Sequence, residues 1–271
     1  MQGLVLYMKV MFWNVHKNPN IDQAICNIVW NNDINIIILA EYVGNVKNLK
    51  ELLEKNNRFV DKYVSEGCQK ILILGDVMEV QPGTQNTRYS IQIIRNEYIL
   101  CAMHLPSQLY GDSGQRRIII RSIVEDIQEL EMKLKSNRTI IVGDMNEDPF
   151  DDGCLSADNF HGIPTHADAA KNSRIILGQE FSMFYNPMWN LFGDFTSPPG
   201  TCYYPRSDAK CSFWHIFDQV MIRPCLRSEF VEDSLKIVTK AGIDSLLNRN
   251  GHPDKRFSDH LPIVFEIKEV S

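Results

Sequence analysis

Apolar runs in this chain repeatedly end on side chains that bind protons, phosphates or metal ions. Asn14 follows "MFW", Glu41 follows "IIILA", His104 follows "ILCAM", and Asp144 with Asn146 follows "IIVG". Asp218 follows "WHIF", and Asp259 with His260 precedes "LPIVF". One such residue is ordinarily a cap or a turn residue, because Asp and Asn favour turns. Six strand ends drawn only from Asp, Glu, Asn and His form a pattern. The set fits hydrolysis of a phosphate ester. A hard divalent cation such as Mg²⁺ takes one or two carboxylates and leaves positions for water and phosphate oxygens. The ester needs its charge neutralised, an in-line water activated and a leaving oxygen stabilised. Histidines supply proton transfer or donate to phosphate, and an Asp can hold one imidazole in its working tautomer.

Rigid strands must deliver these groups, since catalytic residues tend to sit on loops held by a scaffold. "IIVGDMNEDPF" (140–150) shows the arrangement: a β-branched run stops at Gly143 and releases Asp144 and Asn146 at its mouth. The segment from Leu4 to Val15 suits a first buried strand. Ile21, Ala24, Ile25, Ile28 and Val29 mark one face of a helix, with Asn20 and Gln23 as its expected capping box. "INIIILAEY" follows as a strand, giving a β-α-β opening. Val46, Leu49, Leu52 and Leu53 mark a second helix. Short β-rich runs from Phe59 to His104 predict antiparallel hairpins. Ile120, Ile123, Val124, Ile127, Leu130 and Leu134 mark a long helix before the Gly143 strand. "TCYY", "FDQVMI", "EFVEDSLKIV" and "PIVFEIK" are the remaining expected strands. The alternation predicts one α/β domain over 1–271, a four-layered sandwich of two mixed sheets face to face with helices outside. Residues 151–200 are expected to be a loop-rich elaboration of one rim.

Composition narrows the function classes. Of 271 residues, 44% are hydrophobic and 23% charged, ordinary globular proportions that allow a sizeable core. The net charge of −6 gives no global field attracting nucleic acid, although a local basic groove remains compatible with it. Seven scattered cysteines do not resemble a disulfide framework, which points to a reducing, cytoplasmic compartment. No apolar stretch approaches the roughly 20 residues that span a bilayer. Lys9 interrupts "LVLYMKVMFW", which lacks a small-residue cleavage site, so it is read as strand rather than signal peptide.

The ordered motifs "FWNV", "LAEY", "MHLPS", "GDMN", "FDQVMI" and "SDHLPIVF" resemble the endonuclease/exonuclease/phosphatase superfamily from Val10 to Ile267. That superfamily includes apurinic endonucleases, pancreatic deoxyribonuclease, sphingomyelinases and inositol polyphosphate phosphatases. The resemblance implies that Glu41 is the principal metal-binding carboxylate, with Asn14 organising the metal and phosphate site and Asp259 close to the metal. It implies that Asp144 orients or deprotonates the attacking water beside a phosphate-positioning Asn146. His260 corresponds to the histidine beside the scissile phosphate, with Asp218 orienting it. His104 stands where apurinic endonucleases carry Tyr and deoxyribonuclease-like or phosphatase-like members carry His. His16 stands where some members place a second acidic metal partner. The implied cofactor is Mg²⁺, with Mn²⁺ as a substitute.

Arg116, Arg117 and Arg121 open the long helix as either a solvated face or a contact to substrate phosphates. Arg116 and Arg117 are taken as the substrate-binding candidates. Cys202, Cys211, His215 and Cys225 match no familiar zinc spacing, and His161 and His166 are five apart in a loop. The aromatics of "FYNPMW" and "TCYYPR" serve equally as stacking surfaces or as core. Two substrate classes follow: DNA phosphodiesters, cleaved by an endonuclease or exonuclease, or a small-molecule or lipid phosphoester. A non-catalytic binding module ranks last, since every principal catalytic position is filled.

Overall fold

Strands buried on both faces need near-continuous apolar runs, and the frame of this protein is built from such runs. The computed structural model describes residues 6–107, 113–205 and 211–269. Leu4 and Val5 of the first expected strand, and Arg206 of "TCYYPR", lie outside the described residues. In chain order come β1 (Leu6–Asn14), α1 (Asp22–Asn32), β2 (Ile36–Ala40), α2 (Val46–Glu54), β3 (Asp61–Lys62), β4 (Ile71–Gly75), β5 (Val80–Gln85), β6 (Tyr89–Ile94) and β7 (Tyr98–His104). The helix α3 (Ser113–Leu134) leads to β8 (Arg138–Asp144). There follow β9 (Gly162–Ile163), β10 (Ser173–Ile176), β11 (Gln179–Ser182), β12 (Phe184–Tyr185), β13 (Cys202–Tyr203), β14 (Trp214–His215) and β15 (Asp218–Ile222). The chain closes with β16 (Lys236–Ile237), β17 (Lys240–Ala241), β18 (Asp244–Ser245) and β19 (Ile263–Glu269).

Two sheets carry the core. The first runs β16-β19-β1-β2-β4-β3 and the second β5-β6-β7-β8-β15-β12-β9. Alternation along each strand sorts the side chains into layers. Val10, Phe12, Ile36 and Ile38 of the first sheet meet Leu100, Ala102, Ile140, Val142 and Val220 of the second. The intervening residues Met11, Trp13, Ile37 and Leu39 face outward onto Ile25, Ile28 and Val29 of α1 and Leu49 and Leu53 of α2. Cys101, Met103 and Ile141 likewise meet Ile120, Ile123 and Ile127 of α3. The four-layered α/β sandwich is therefore as expected.

Two local expectations are corrected, and the 151–200 segment carries added detail. α1 starts at Asp22 with Ile21 at its cap and no side-chain cap bond, so the Asn20–Gln23 box does not form. Asn18 takes the turn instead, accepting from the Asn20 backbone N–H and donating to the carbonyls of Arg256 and Phe257. "EFVEDSLKIV" holds a 3₁₀ turn at Glu232–Ser234 and only a two-residue strand, β16. The 151–200 segment is more than loop: β9 and β12 extend the second sheet, and β10 pairs with β11 as a separate hairpin. Among the described residues no helix is long and apolar enough to cross a membrane.

Candidate active site

Register aligns the first three groups. β7 and β8 run parallel with His104 opposite Asp144, and β15 runs antiparallel to β8 with Asp218 opposite Asp144. His104, Asp144 and Asp218 thus form one row across three adjacent strands. Gly143 permits this, because a Cβ there would lie 2.1 Å from the Met103 carbonyl oxygen. The first sheet supplies the rest from its facing edge. Asn14 ends β1, Glu41 follows β2, and His260 precedes β19. Glu41 (φ 56°) and Asn146 (φ 50°) both sit in the left-handed region just after their strands. That conformation is uncommon for a non-glycine residue and tends to be held where function requires it.

Hydrogen bonds stitch the two sheets together at this point. Asn14 Nδ2 donates to Asp144 Oδ2 at 2.8 Å, and the backbone N–H of Asn146 donates to Asp144 Oδ1 at 2.9 Å. Asn146 Nδ2 donates to the Leu105 carbonyl at 2.9 Å, which fixes its side chain. His104 Nε2 lies 3.6 Å from Asp144 Oδ2 and 3.8 Å from Glu41 Oε1. His260 Nδ1 is 2.8 Å from Asp218 Oδ2, although 42 residues separate the two in sequence. Ser258 and Trp13 hold that histidine: Ser258 Oγ accepts from the His260 N–H, and Trp13 Nε1 donates to its carbonyl.

The two imidazoles differ electrostatically. Burial pushes His104 below the ordinary histidine range, against the opposing pull of Asp144 and Glu41. Burial also opposes a charged His260, but Asp218, Cys202 and Asp144 outweigh it and hold that ring well above the ordinary range. Burial likewise pushes the Asp218 carboxyl up, against the pull of His260. The two imidazoles are thus shifted in opposite directions, His104 down and His260 up.

Ligating atoms of Asp144, Asp218 and His260 lie within 4.8 Å of one another, the one such cluster among the described residues. It contains none of the residues expected to hold metal, namely Asn14, Glu41 and Asp259. His260 has its Nδ1 tied to Asp218, and Asn14 turns its amide nitrogen rather than its oxygen to Asp144. The carboxylates nevertheless suit a hard divalent cation. Asp218 Oδ1 is buried without a hydrogen-bond partner, and Glu41 stands across His104 from Asp144. Asp259 turns toward His16, whose Nδ1 is 3.2 Å from its Oδ1 without hydrogen-bond geometry.

The two arginines taken as substrate-binding candidates both lie beside carboxylates. Arg116 is buried and donates from Nε to Glu147 Oε1 at 2.9 Å, and Arg117 pairs with Asp152. Both join α3 to the segment after β8. His161 and His166 go to separate neighbours: His161 Nδ1 meets the Ser182 carbonyl, while His166 pairs with Glu232. The aromatics divide: Phe184 and Tyr185 are buried, Trp189 lies edge-on to Phe150, Tyr203 stacks on His252, and Tyr204 is exposed. Sequence reasoning did not single out Asp148 or Phe217, and it weighed His215 only as a zinc ligand. The acidic run after Asn146 and the histidine three positions before Asp218 were its only signals.

No protein-family model and no curated protein sequence matches the chain. Solved structures match it in fold. An AP endonuclease from Archaeoglobus fulgidus superposes with TM-score 0.56 at 14% identity, over 97% of this chain and 100% of that one. A truncated Caenorhabditis elegans TDP2 gives 0.55 at 17% identity, over 97% and 98%. D. rerio TDP2 complexed with single strand DNA product gives 0.55 at 15% identity, over 96% and 98%. The chain shares the fold of these AP endonuclease and TDP2 structures, over nearly its whole length.

Proposed function

We propose that this chain is a Mg²⁺-dependent phosphoesterase that hydrolyses phosphodiester bonds in DNA, with water as the nucleophile. The observation carrying the reading is the row His104–Asp144–Asp218 with His260 bonded to its end. It sets a carboxylate with two ordered hydrogen-bond donors between two imidazoles whose proton affinities are shifted in opposite directions. Asp144 takes a proton from water as the new P–O bond forms. The ester P–O bond opposite then breaks, and the leaving oxygen is protonated from the solvent-facing side. The His260 imidazolium, held by Asp218, donates to a phosphoryl oxygen where negative charge builds. His104 stays neutral and contacts the phosphate beside Asp144. Glu41 is the carboxylate we assign to the metal, and Mn²⁺ would substitute. When bound, the ion supplies charge neutralisation at the phosphoryl oxygens.

DNA is carried over from the single-strand product bound to D. rerio TDP2. A second reading, a small-molecule or lipid phosphoester, is favoured by the net charge of −6 and by the pairing of Arg116 and Arg117 with carboxylates. The test is cleavage of labelled single-stranded, double-stranded and abasic DNA, RNA, sphingomyelin and inositol phosphates, with Mg²⁺ and with chelator. Cleavage of DNA that stops with chelator supports the proposal. Cleavage only of a lipid or inositol phosphate transfers the site to the second reading.

A further inference from the structure

A second aspartate–histidine pair lies on the same rim. His215 Nδ1 is 2.7 Å from Asp148 Oδ2, and the Ile216 N–H donates to Asp148 Oδ1 at 2.8 Å. The geometry repeats that of Asp218 and His260, where a carboxylate also takes Nδ1 and leaves Nε2 for another partner.

Register brings the two pairs together. In the β13–β14 hairpin Cys202 lies opposite His215, and Cys202 is also bridged to His260. One cysteine backbone therefore stands between the two histidines. Phe217 links them on the other side: its ring stacks on His215 at 4.6 Å and lies 6.5 Å from that of His260. Tyr203 and Trp214, the alternate residues of the hairpin, face away and pack with His252. His215 keeps 14% of its side chain exposed, against 8% for His104 and 9% for His260, so it is at least as open to a ligand.

We propose that His215, oriented by Asp148, is a further substrate-contacting residue of this site, presenting Nε2 to a phosphate oxygen beside the scissile group. The carboxylate on Nδ1 fixes the ring's orientation and leaves the Nε2 edge to meet a phosphate oxygen. The proposal rests on the phosphoesterase reading. Its competitor is a purely structural role, in which the pair only ties the segment after β8 to β14.

Two variants and one spectrum separate these. His215→Phe keeps the ring on Phe217 and removes both nitrogens, whereas His215→Gln restores a donor. On single-stranded DNA with Mg²⁺, His215→Phe is expected to raise KM about tenfold or more while kcat changes little, the size of one lost charge-assisted hydrogen bond. His215→Gln is expected to recover most of that loss. Independently of turnover and of variant folding, the ring nitrogens of His215 in wild-type protein should shift in ¹⁵N NMR when a 5′-phosphorylated oligonucleotide is added. Unmoved His215 resonances beside shifted His260 resonances, or an unchanged KM in folded His215→Phe, would overturn the proposal. Wild-type protein that cleaves no phosphoester overturns the phosphoesterase reading and the inference with it. Cleavage by wild type with no His215 effect overturns the inference alone.

Discussion

Asp218 sets the charge on His260 across 2.8 Å, and replacing it is the most direct probe of the site's acid–base balance. Asp218→Asn removes a negative charge but keeps the shape. Burial, which disfavours the imidazolium, then faces weaker opposition, so His260 should lose its proton at lower pH. The alkaline limb of the pH–rate profile is expected to move to lower pH, and an unmoved limb would remove His260 from the rate. The same pairing has a stability consequence. His260 is raised above its unfolded value of about 6.5, so its contribution is complete below that pH and is lost as pH rises through the folded value. Urea midpoints of wild type should fall over that window, while those of Asp218→Asn should not share the fall. Glu41 is tested separately. Glu41→Ala should lower Mg²⁺-supported cleavage by about 10²-fold or more. It should also abolish the Mg²⁺ titration heat while the thermal midpoint stays within a few degrees. Unchanged Mg²⁺ affinity would take Glu41 out of the metal site.

Elements position these groups through close approaches that tolerate no extra atoms. Gly143→Ala would drive a Cβ to 2.1 Å from the Met103 carbonyl oxygen, which forces β7 and β8 apart where His104 pairs with Asp144. It should destabilise the fold by about 3 kcal/mol or more and impair cleavage in whatever protein folds. Wild-type stability in this variant would mean the pairing is not tight. Arg116→Ala is expected to cost about 3–5 kcal/mol, because Glu147 is left buried with its charge unpaired. The Glu147 partner of Arg116 was not legible in the sequence, for a geometric reason. Helix periodicity shows that Arg116 lies on the first turns of α3, but not that Glu147 sits beneath it, 31 residues away in sequence. Strand periodicity was more informative: the runs ending at Asn14, Ala40, His104 and Asp144 are strands, and their last or next residues carry the chemistry. The Asp148–His215 pair was not legible, since 67 residues separate its members and β14 is only two residues long. Short strands lack the period-2 pattern that would have revealed which way His215 faces.

The whole molecule places its site on the seam between two sheets. Asn14 to Asp144 and His260 to Asp218 are both bonds from the first sheet to the second. Inter-sheet packing of Phe12, Ile38, Val142 and Val220 therefore fixes the distances on which the chemistry depends. Among the described residues near that seam, Arg88 is close enough to His104 to act on its charge, while the helix arginines are met by carboxylates. The net charge is −6, and the α3 arginines Arg116, Arg117 and Arg121 pair with Glu147, Asp152 and Asp158. With the α3 arginines held by their carboxylates, a single DNA strand bound here is expected to make about three or fewer phosphate contacts. At about −0.7 per contact for single strands, the log–log slope of affinity against salt should be no steeper than about −2. Arg117→Ala should leave that slope unchanged, because Arg117 serves Asp152. Fluorescence anisotropy with a labelled single strand from low to moderate salt measures both quantities. A slope several units steeper, or one flattened by Arg117→Ala, would mean that the helix face contacts phosphates and that the acidic balance of the chain conceals a basic groove.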